Sequence, residues 1–324
     1  MKSSMGIGLA LASALPALAA AAANAQTYPT KSVRLIVPYA PGGIVDYAGR
    51  LIGQRLSDAL GQNVVIDNRP GAGGIIGIET ASKASADGYT LLIMDPAIVI
   101  NPSLLAKVPY DINRDLIPAT ILSSSPLVLA INAKVAANTL QELVNLARSQ
   151  PGKLSFASAG IGTTPHMAGE LFKARIQQNI THVPYKGSGP AMMDLIAGQV
   201  QLTFSSITAA LPFIKDGRLR GLATTGAKRA AALPNLPTVA ESGFSGFEVN
   251  LWLAVFVPGD TPKDIVARLN SELRKTLQHP DVKSGFEKVG AEPVGNTPQE
   301  AAAFVKNEFT KWAQVIKTAN IKAD

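Results

Sequence analysis

The 324-residue sequence contains no cysteine. That absence excludes a disulfide scaffold, a thiolate metal site and a cysteine nucleophile together. Histidine is scarce too, with only His166, His182 and His279. No H-E-x-x-H run or carboxylate cluster accompanies them, so neither a metal nor another cofactor is expected. Charged residues are few, at 16%, and aromatic residues make up 6%. With 47% apolar positions the chain buries a sizeable core and is not a disordered polypeptide. The net charge of +7 comes from lysines and arginines scattered along the chain, never in blocks. This reads as a bland basic surface that favours encounter with small anions, and no nucleic-acid partner is expected. A G-x-x-x-x-G-K-[ST] phosphate loop is missing, and Gly71-Ala72-Gly73-Gly74-Ile75-Ile76-Gly77 has the wrong spacing for a dinucleotide fingerprint. A G-x-S-x-G elbow is missing as well, since Gly187-Ser188-Gly189 lacks its spacing.

What is present begins with a leader. Lys2 opens a short basic region, and Gly6 to Ala23 form an apolar run of small residues. Ala23-Asn24-Ala25 then offers small residues at the cleavage positions before Gln26, the pattern of a secretory signal peptide over residues 1–25. A membrane anchor is the rival reading, but the run is Ala-rich and interrupted by Pro16. The mature chain is expected in the periplasm, where lack of cysteine avoids stray disulfides.

The rest alternates strand-like and helix-like segments. Val33 to Tyr39 reads as a buried strand, Asp46 to Leu60 as a helix stopped by Gly61, Asn63 to Asp67 as a strand, and Tyr89 to Met94 as another. A second helical segment runs to Ala84. The same grammar restarts with a helix over Thr139 to Ser149 and strands at Leu154 to Ser158 and Ile180 to Tyr185. Helices over Pro165 to Ala174 and Ala191 to Ala197 follow those strands, and further strands lie at Val200 to Phe204 and Gly221 to Thr225. Repeated βαβ units imply a mainly parallel sheet in each of two lobes. Pro126 to Asn132 and Glu248 to Pro258 are long, apolar and extended, as two crossovers between lobes would be. This places residues 26–125 plus 249–324 in lobe 1 and 126–248 in lobe 2. The last third is helical over Pro262 to Leu277 and Pro298 to Ala319.

The chemistry lies in Gly-rich turns. In open α/β sheets, ligands bind beyond the carboxyl ends of strands, where loops lead into helices. Tyr39-Ala40-Pro41-Gly42-Gly43 and Ser158-Ala159-Gly160-Ile161-Gly162-Thr163-Thr164 both sit at such points. Their backbone N–H groups and the helix starts beyond them suit a carboxylate, while a plain tight turn explains each one taken alone. His166 stands in a first helical turn, as a base or as a buried or capping histidine.

The ordered set of segments resembles the periplasmic solute receptors of the tripartite tricarboxylate transporter type, the Bug receptors. The resemblance rests on Tyr28-Pro29, Ile36 to Gly43, Asp46, Arg50, Val65 to Gly74 and Ala86 to Leu92. It continues through Ser158 to His166, Gly169 to Phe172, His182 to Gly187 and Leu233 to Glu241. It implies an α/β fold of the two-lobed type II periplasmic-binding class, with two crossover strands and a ligand cleft between the lobes. It also implies a non-enzymatic, monomeric receptor that captures a small carboxylate and hands it to a membrane permease with large and small subunits. Carried onto this chain, the site comprises Tyr39, Ala40, Pro41, Gly42, Gly43 and Asp46 on one side. Ser158, Gly160, Gly162, Thr163 and His166 face them, with Tyr185, Lys186, Ser205 and Asp95 at neighbouring strand ends. Asp46 is either a helix cap or a ligand-selecting residue, and Lys186 either pairs a distal carboxylate or stays solvated. Ile44-Val45 stands where many such receptors have small or polar residues. Those two side chains favour a mono- or dicarboxylate with an apolar or aromatic body, unless they pack inward as helix-start residues. Two other readings use the same sequence: a receptor feeding a sensor kinase, and a secreted α/β hydrolase.

Overall fold

The computed structural model describes residues 28–323; the leader read at residues 1–25 lies outside the described residues. The chain opens with β1 (Val33–Val37), α1 (Ile44–Leu60), β2 (Val64–Asn68), α2 (Ile75–Ser82), β3 (Thr90–Met94) and α3 (Ala97–Leu104). Then come β4 (Leu116–Asn132), α4 (Leu140–Ser149), β5 (Ser155–Ser158), α5 (Thr164–Ile176), β6 (Thr181–Pro184), α6 (Ser188–Ala197), β7 (Leu202–Ser206), α7 (Ile207–Lys215) and β8 (Leu219–Thr224). The chain closes with β9 (Asn250–Pro258), α8 (Lys263–Gln278), α9 (Pro280–Lys288), β10 (Glu292–Pro293) and α10 (Pro298–Thr318).

Local sequence explains most of these elements. In α1, Ile44, Ala48, Ile52, Leu56 and Leu60 bury one stripe against the sheet, and the helix stops at Gly61, whose φ of 66° is left-handed. Helix α4 starts where the Thr139 hydroxyl accepts the Glu142 N–H, and α10 starts in a reciprocal capping box between Thr297 and Glu300. Helix α3 carries no amphipathic signal: its sequence AIVINPSL is apolar on nearly all sides and contains a proline, so periodicity does not reveal it. Helix α7, ITAALPFIK, is short and also contains a proline.

The strands join in the order β2-β1-β3-β9-β4-β7-β5-β6, with β10 and β8 also paired to β4. The outer pairs (β1 with β2 and β3, β5 with β6 and β7) are parallel, as βαβ units require. The centre is antiparallel: β9 pairs with β3 and β4, and β4 pairs with β7 and β8. The mainly parallel sheet expected from the sequence is therefore corrected to a mixed one. The reason is that β4 and β9 are long-range partners without a helix between them in space, which sequence grammar does not encode.

Strand β4 serves two half-sheets. Leu116 to Pro126 pairs with β9, whereas Leu127 to Ile131 pairs with β7. The switch occurs beside Thr225, which is fully buried. The Leu127 N–H donates to the Thr225 hydroxyl at 2.8 Å, and that hydroxyl donates to Val249 O at 2.5 Å. One side chain thus joins both strands that pass between the halves. The core is continuous across this junction, from Leu35, Ile36 and Val37 through Leu253 to Phe256, to Phe156, Phe172 and Phe204.

Candidate functional site

The carboxyl ends of β1 and β3 in the first half-sheet face those of β5 and β6 in the second. Between them lies a cavity lined by Tyr39, Gly43, Ile44, Val45, Asp95, Ala159, Pro165, Ser188 and Leu251. The space open to the centre of a water molecule is about 20 Å³, room for about one water. The halves are therefore closed on each other. The Ala40 N–H donates to Lys186 O at 3.3 Å across the gap. Glycines allow the contact: a Cβ on Gly73 would stand 2.0 Å from Ile161 O, and one on Gly162 would stand 1.7 Å from Asn101 Oδ1. Gly42 packs against Gly189, and Gly187 against the Ala40 backbone. Larger grooves lie elsewhere, along α8 beside Arg274 and His279 and at the base of the half-sheets beside Lys228 and Glu248. No set of helix starts converges on either of those.

Three helix starts border the cavity: Gly43 to Val45 of α1, Pro165 of α5 and Ser188 of α6. None of these helices has a side-chain cap at its first residues, whereas α4, α9 and α10 do. The first intrahelical bond of α1 is Tyr47 N–H to Gly43 O, so the N–H groups of the preceding residues have no helical acceptor. Together with the aligned peptide dipoles, such a convergence favours an anion.

The sequence-derived residues fall into distinct groups. Tyr39, Gly43 and Asp95 line the cavity. The Tyr39 hydroxyl donates to Asp95 Oδ1 at 2.9 Å, and the Ala97 N–H donates to the same oxygen at 3.0 Å. Burial pushes the Asp95 carboxyl up to about 6, against the pull of those two donors, and burial together with Asp95 pushes the Tyr39 phenol well up. Ala40 and Lys186 meet through their main chains; the Lys186 side chain is exposed. Pro41 and Gly42 border Gly189.

Asp46 is buried away from the cavity and faces an outer groove with Tyr47, Arg50 and Thr208. It accepts from Arg50, from Asn68 Nδ2 at 3.1 Å and from the Gly42 N–H at 3.3 Å. Burial alone would raise its pKa, but the bonds from Arg50, Asn68 and Gly42 outweigh that and hold it below the usual carboxylate range. The structure thus places Asp46 as a brace on the loop before α1.

In the second half the loop is braced from within. Ser158 Oγ accepts the Gly160 N–H, His166 Nδ1 accepts the Gly162 N–H, and the Thr163 hydroxyl donates to Gly160 O. Gly160 and Gly162 therefore contribute close approach, and their N–H groups are turned inward. The residues that reach the cavity from this loop are Ala159 and Pro165. Ser158 Oγ also lies 2.7 Å from His182 Nε2, and His182 stacks on His166 with centroids 4.1 Å apart. Burial, then the nearby Lys173, lowers the His182 pKa to about 4, so the ring is neutral. In isolation a serine–histidine pair suggests a nucleophile and its base. Here Ser158 is 1% exposed and does not line the cavity, so the pair is a loop brace.

Tyr185 donates to Asp194 Oδ2 at 2.7 Å; burial first, and then Asp194, raise the phenol to about 12. Ser205 is buried within β7 opposite Val128. Four lining residues escaped sequence reasoning as site candidates: Ala159, Pro165, Ser188 and Leu251. Ala159 and Ser188 lie within Gly-rich runs and Pro165 follows one, but Leu251 sits in the long apolar strand β9 and gives no local signal.

Among the described residues no group of three or more His, Asp or Glu side chains is arranged to hold a metal ion, and no helix is long and apolar enough to cross a membrane.

Comparison with known proteins identifies the family and the fold. Residues 48–321 match the family described as the tripartite tricarboxylate transporter family receptor. Protein BugT of Bordetella pertussis is 38% identical over 305 residues, covering 94% of this chain and 94% of that protein. The structure of the periplasmic binding protein BugD superposes with a TM-score of 0.89 at 33% identity, covering 92% of this chain and 100% of that one. The structure of Rpa4515 from R. palustris, described with adipate, gives a TM-score of 0.88 at 38% identity, covering 91% and 99%. The architecture is that of the two-lobed periplasmic binding proteins, whose members here are solute receptors and not enzymes. The chain belongs to the tripartite tricarboxylate transporter receptor family.

Proposed function

We propose that this receptor captures a small carboxylate with an apolar or aromatic body between two lobes and delivers it to a tripartite tricarboxylate-type membrane permease. In this reading residues 26–125 and 249–324 form one lobe, 126–248 form the other, and the mature chain acts as a monomer in the periplasm. The observation that carries the reading is the convergence of α1, α5 and α6, uncapped by side chains, on one cavity whose walls are Ile44, Val45, Ala159, Pro165 and Leu251. Helix starts supply donors for an anion, and the aliphatic walls suit the remainder of the molecule. Rpa4515, described with adipate, supports a carboxylate of that shape.

Capture then proceeds by closure. A carboxylate held by the start of α1 draws the starts of α5 and α6 toward it, and water leaves the gap. The hydrogen bonds strengthen as the local dielectric falls. Tyr39, Ala40, Pro41, Gly42 and Gly43 form one jaw, with Ser158 to Thr163 and His166 behind the other. Tyr185 and Lys186 shape the loop that receives Ala40. The solute-bound form keeps these jaws together but holds them wider than the one-water gap of the structure, and it is the state that a permease can recognise.

The test is a thermal-shift and calorimetry series on the secreted protein, unfolded and refolded to strip any bound solute. Adipate, malate, hexanoate, benzoate and the matching neutral amides form the panel. A solute at a hundredfold excess over its Kd raises stability by about 2.7 kcal/mol. Shifts confined to the acids, largest for the apolar-bodied ones, support the proposal. Shifts from amides with none from acids overturn it.

A further inference from the structure

Asp95 is a carboxylic acid in the wall of a cavity that otherwise suits an anion. It is 3% exposed. No ion pair of the described residues includes it. The groups that face it on each side are not cations. From the end of β1 comes the Tyr39 hydroxyl, which donates to Oδ1. From the start of α3 comes the Ala97 N–H, which donates to the same Oδ1. Tyr110, after α3, is a neutral phenol near enough to feel the charge on Asp95. The remaining lining residues are Gly43, Ile44, Val45, Ala159, Pro165, Ser188 and Leu251, none of which titrates in the neutral range. A second negative charge brought beside Asp95 in this water-poor gap would be strongly disfavoured, as for two carboxylates sharing one site. The two donors on Oδ1 make it the carbonyl-like oxygen of the protonated acid. Oδ2 then carries the hydroxyl hydrogen.

We propose that Asp95 makes solute capture proton-coupled: one proton from solution is taken up on Oδ2 as the carboxylate enters, and Asp95 donates it in a hydrogen bond to the bound anion. The proton returns to solution when the solute leaves. Asp95 thereby selects an acid that shares its proton, and capture strengthens as the surroundings acidify. This rests on the carboxylate reading of the cavity and assigns that site its pH dependence. An ionised Asp95 that accepted a hydrogen bond from a donor on the solute is the competing arrangement. It would place a cation or hydroxyl at the positive ends of α1, α5 and α6.

The test uses the secreted protein with hexanoate and benzoate between pH 6 and 8, where both are almost fully ionised. Burial raises the free Asp95 carboxyl to about 6. If it stays protonated in the complex, linkage weakens Kd about fifty-fold from pH 6 to 8. Calorimetry at pH 8 in two buffers of different ionisation heat then reads about one proton taken up per acid bound. Asp95→Asn keeps an acceptor for Tyr39 and Ala97 and places an amide N–H where the shared proton stands. Its Kd is expected to be flat with pH and its proton uptake zero. Tyr39→Phe removes one donor from Oδ1 and is expected to move the wild-type profile to higher pH.

A flat wild-type profile with normal acid binding overturns the proton coupling and leaves the carboxylate reading intact. Loss of acid binding by a folded Asp95→Asn protein at every pH, with its fold checked by thermal unfolding, overturns the coupling in favour of an acceptor role. No binding of any of the acids at pH 6 overturns both.

Discussion

Gly73→Ala tests whether closure is needed for capture. Gly73 has φ 62°, in the left-handed region, so alanine there carries a conformational penalty of about 1–2 kcal/mol in either state of the cleft. The steric effect is specific to the closed state. The new Cβ would lie 2.0 Å from Ile161 O, a backbone atom of the opposing half, and relieving that contact requires movement of about 1 Å. Overpacking of this kind typically costs about 1–3 kcal/mol. Confined to the closed state, it weakens binding of the best acid from the panel by ~5- to ~150-fold. Gly61→Ala is the matched control. Gly61 has φ 66° with nothing within 4 Å of the added atom, so it carries the same strain without the clash. Both variants are expected to lose a similar amount of thermal stability without solute, and only Gly73→Ala loses affinity. Small-angle scattering should show Gly73→Ala still extended at a solute concentration that closes the wild-type protein, and compact only at a correspondingly higher one. Equal affinities for the two variants would refute the argument that the halves must meet at Gly73.

Other consequences follow from the same geometry. The raised Asp95 pKa means stability is lost as pH rises from about 4 to about 6 and stays lost above that; the lowered His182 pKa of about 4 acts oppositely, with stability lost as pH falls from about 6.5 to about 4. Thermal midpoints of the unliganded protein are therefore expected to vary little over that range, whereas those of Asp95→Asn fall on acidification; a flat profile in the variant would contradict the assigned environments. Val45→Ser, in the cavity wall, should weaken hexanoate or benzoate by about tenfold and affect malate less, as calorimetry on the three acids would show. Glu308 accepts from the indole N–H groups of both Trp252 and Trp312, at 2.9 and 3.2 Å. Glu308→Leu leaves two buried donors unpaired at about 1–3 kcal/mol each, which chemical denaturation followed by tryptophan fluorescence would register; a change below 1 kcal/mol would show that the indoles find other acceptors.

The sequence by itself determined most of the local elements, because their signals act over a few residues. Gly61 stops α1, Thr139 and Thr297 cap helices, and the β-branched run Val33 to Val37 has to be buried. Family resemblance carried by Gly-rich turns was legible for the same reason: a turn that needs left-handed backbone strongly favours glycine. Tertiary structure alone decided what those turns do. Asp95 meets Tyr39 from 56 positions away, and Leu251 reaches the cavity only because β9 lies between β3 and β4. Ser158 and His182 pair because β5 and β6 run parallel in register. Periodicity reports which face of a segment is buried, and it carries no record of which distant segment buries it. Hence the neighbours of Asp46, His166 and Lys186, whose roles the sequence left open, come from the fold: Asp46 accepts from Arg50, Asn68 and Gly42, His166 Nδ1 accepts the Gly162 N–H, and the Lys186 carbonyl accepts the Ala40 N–H.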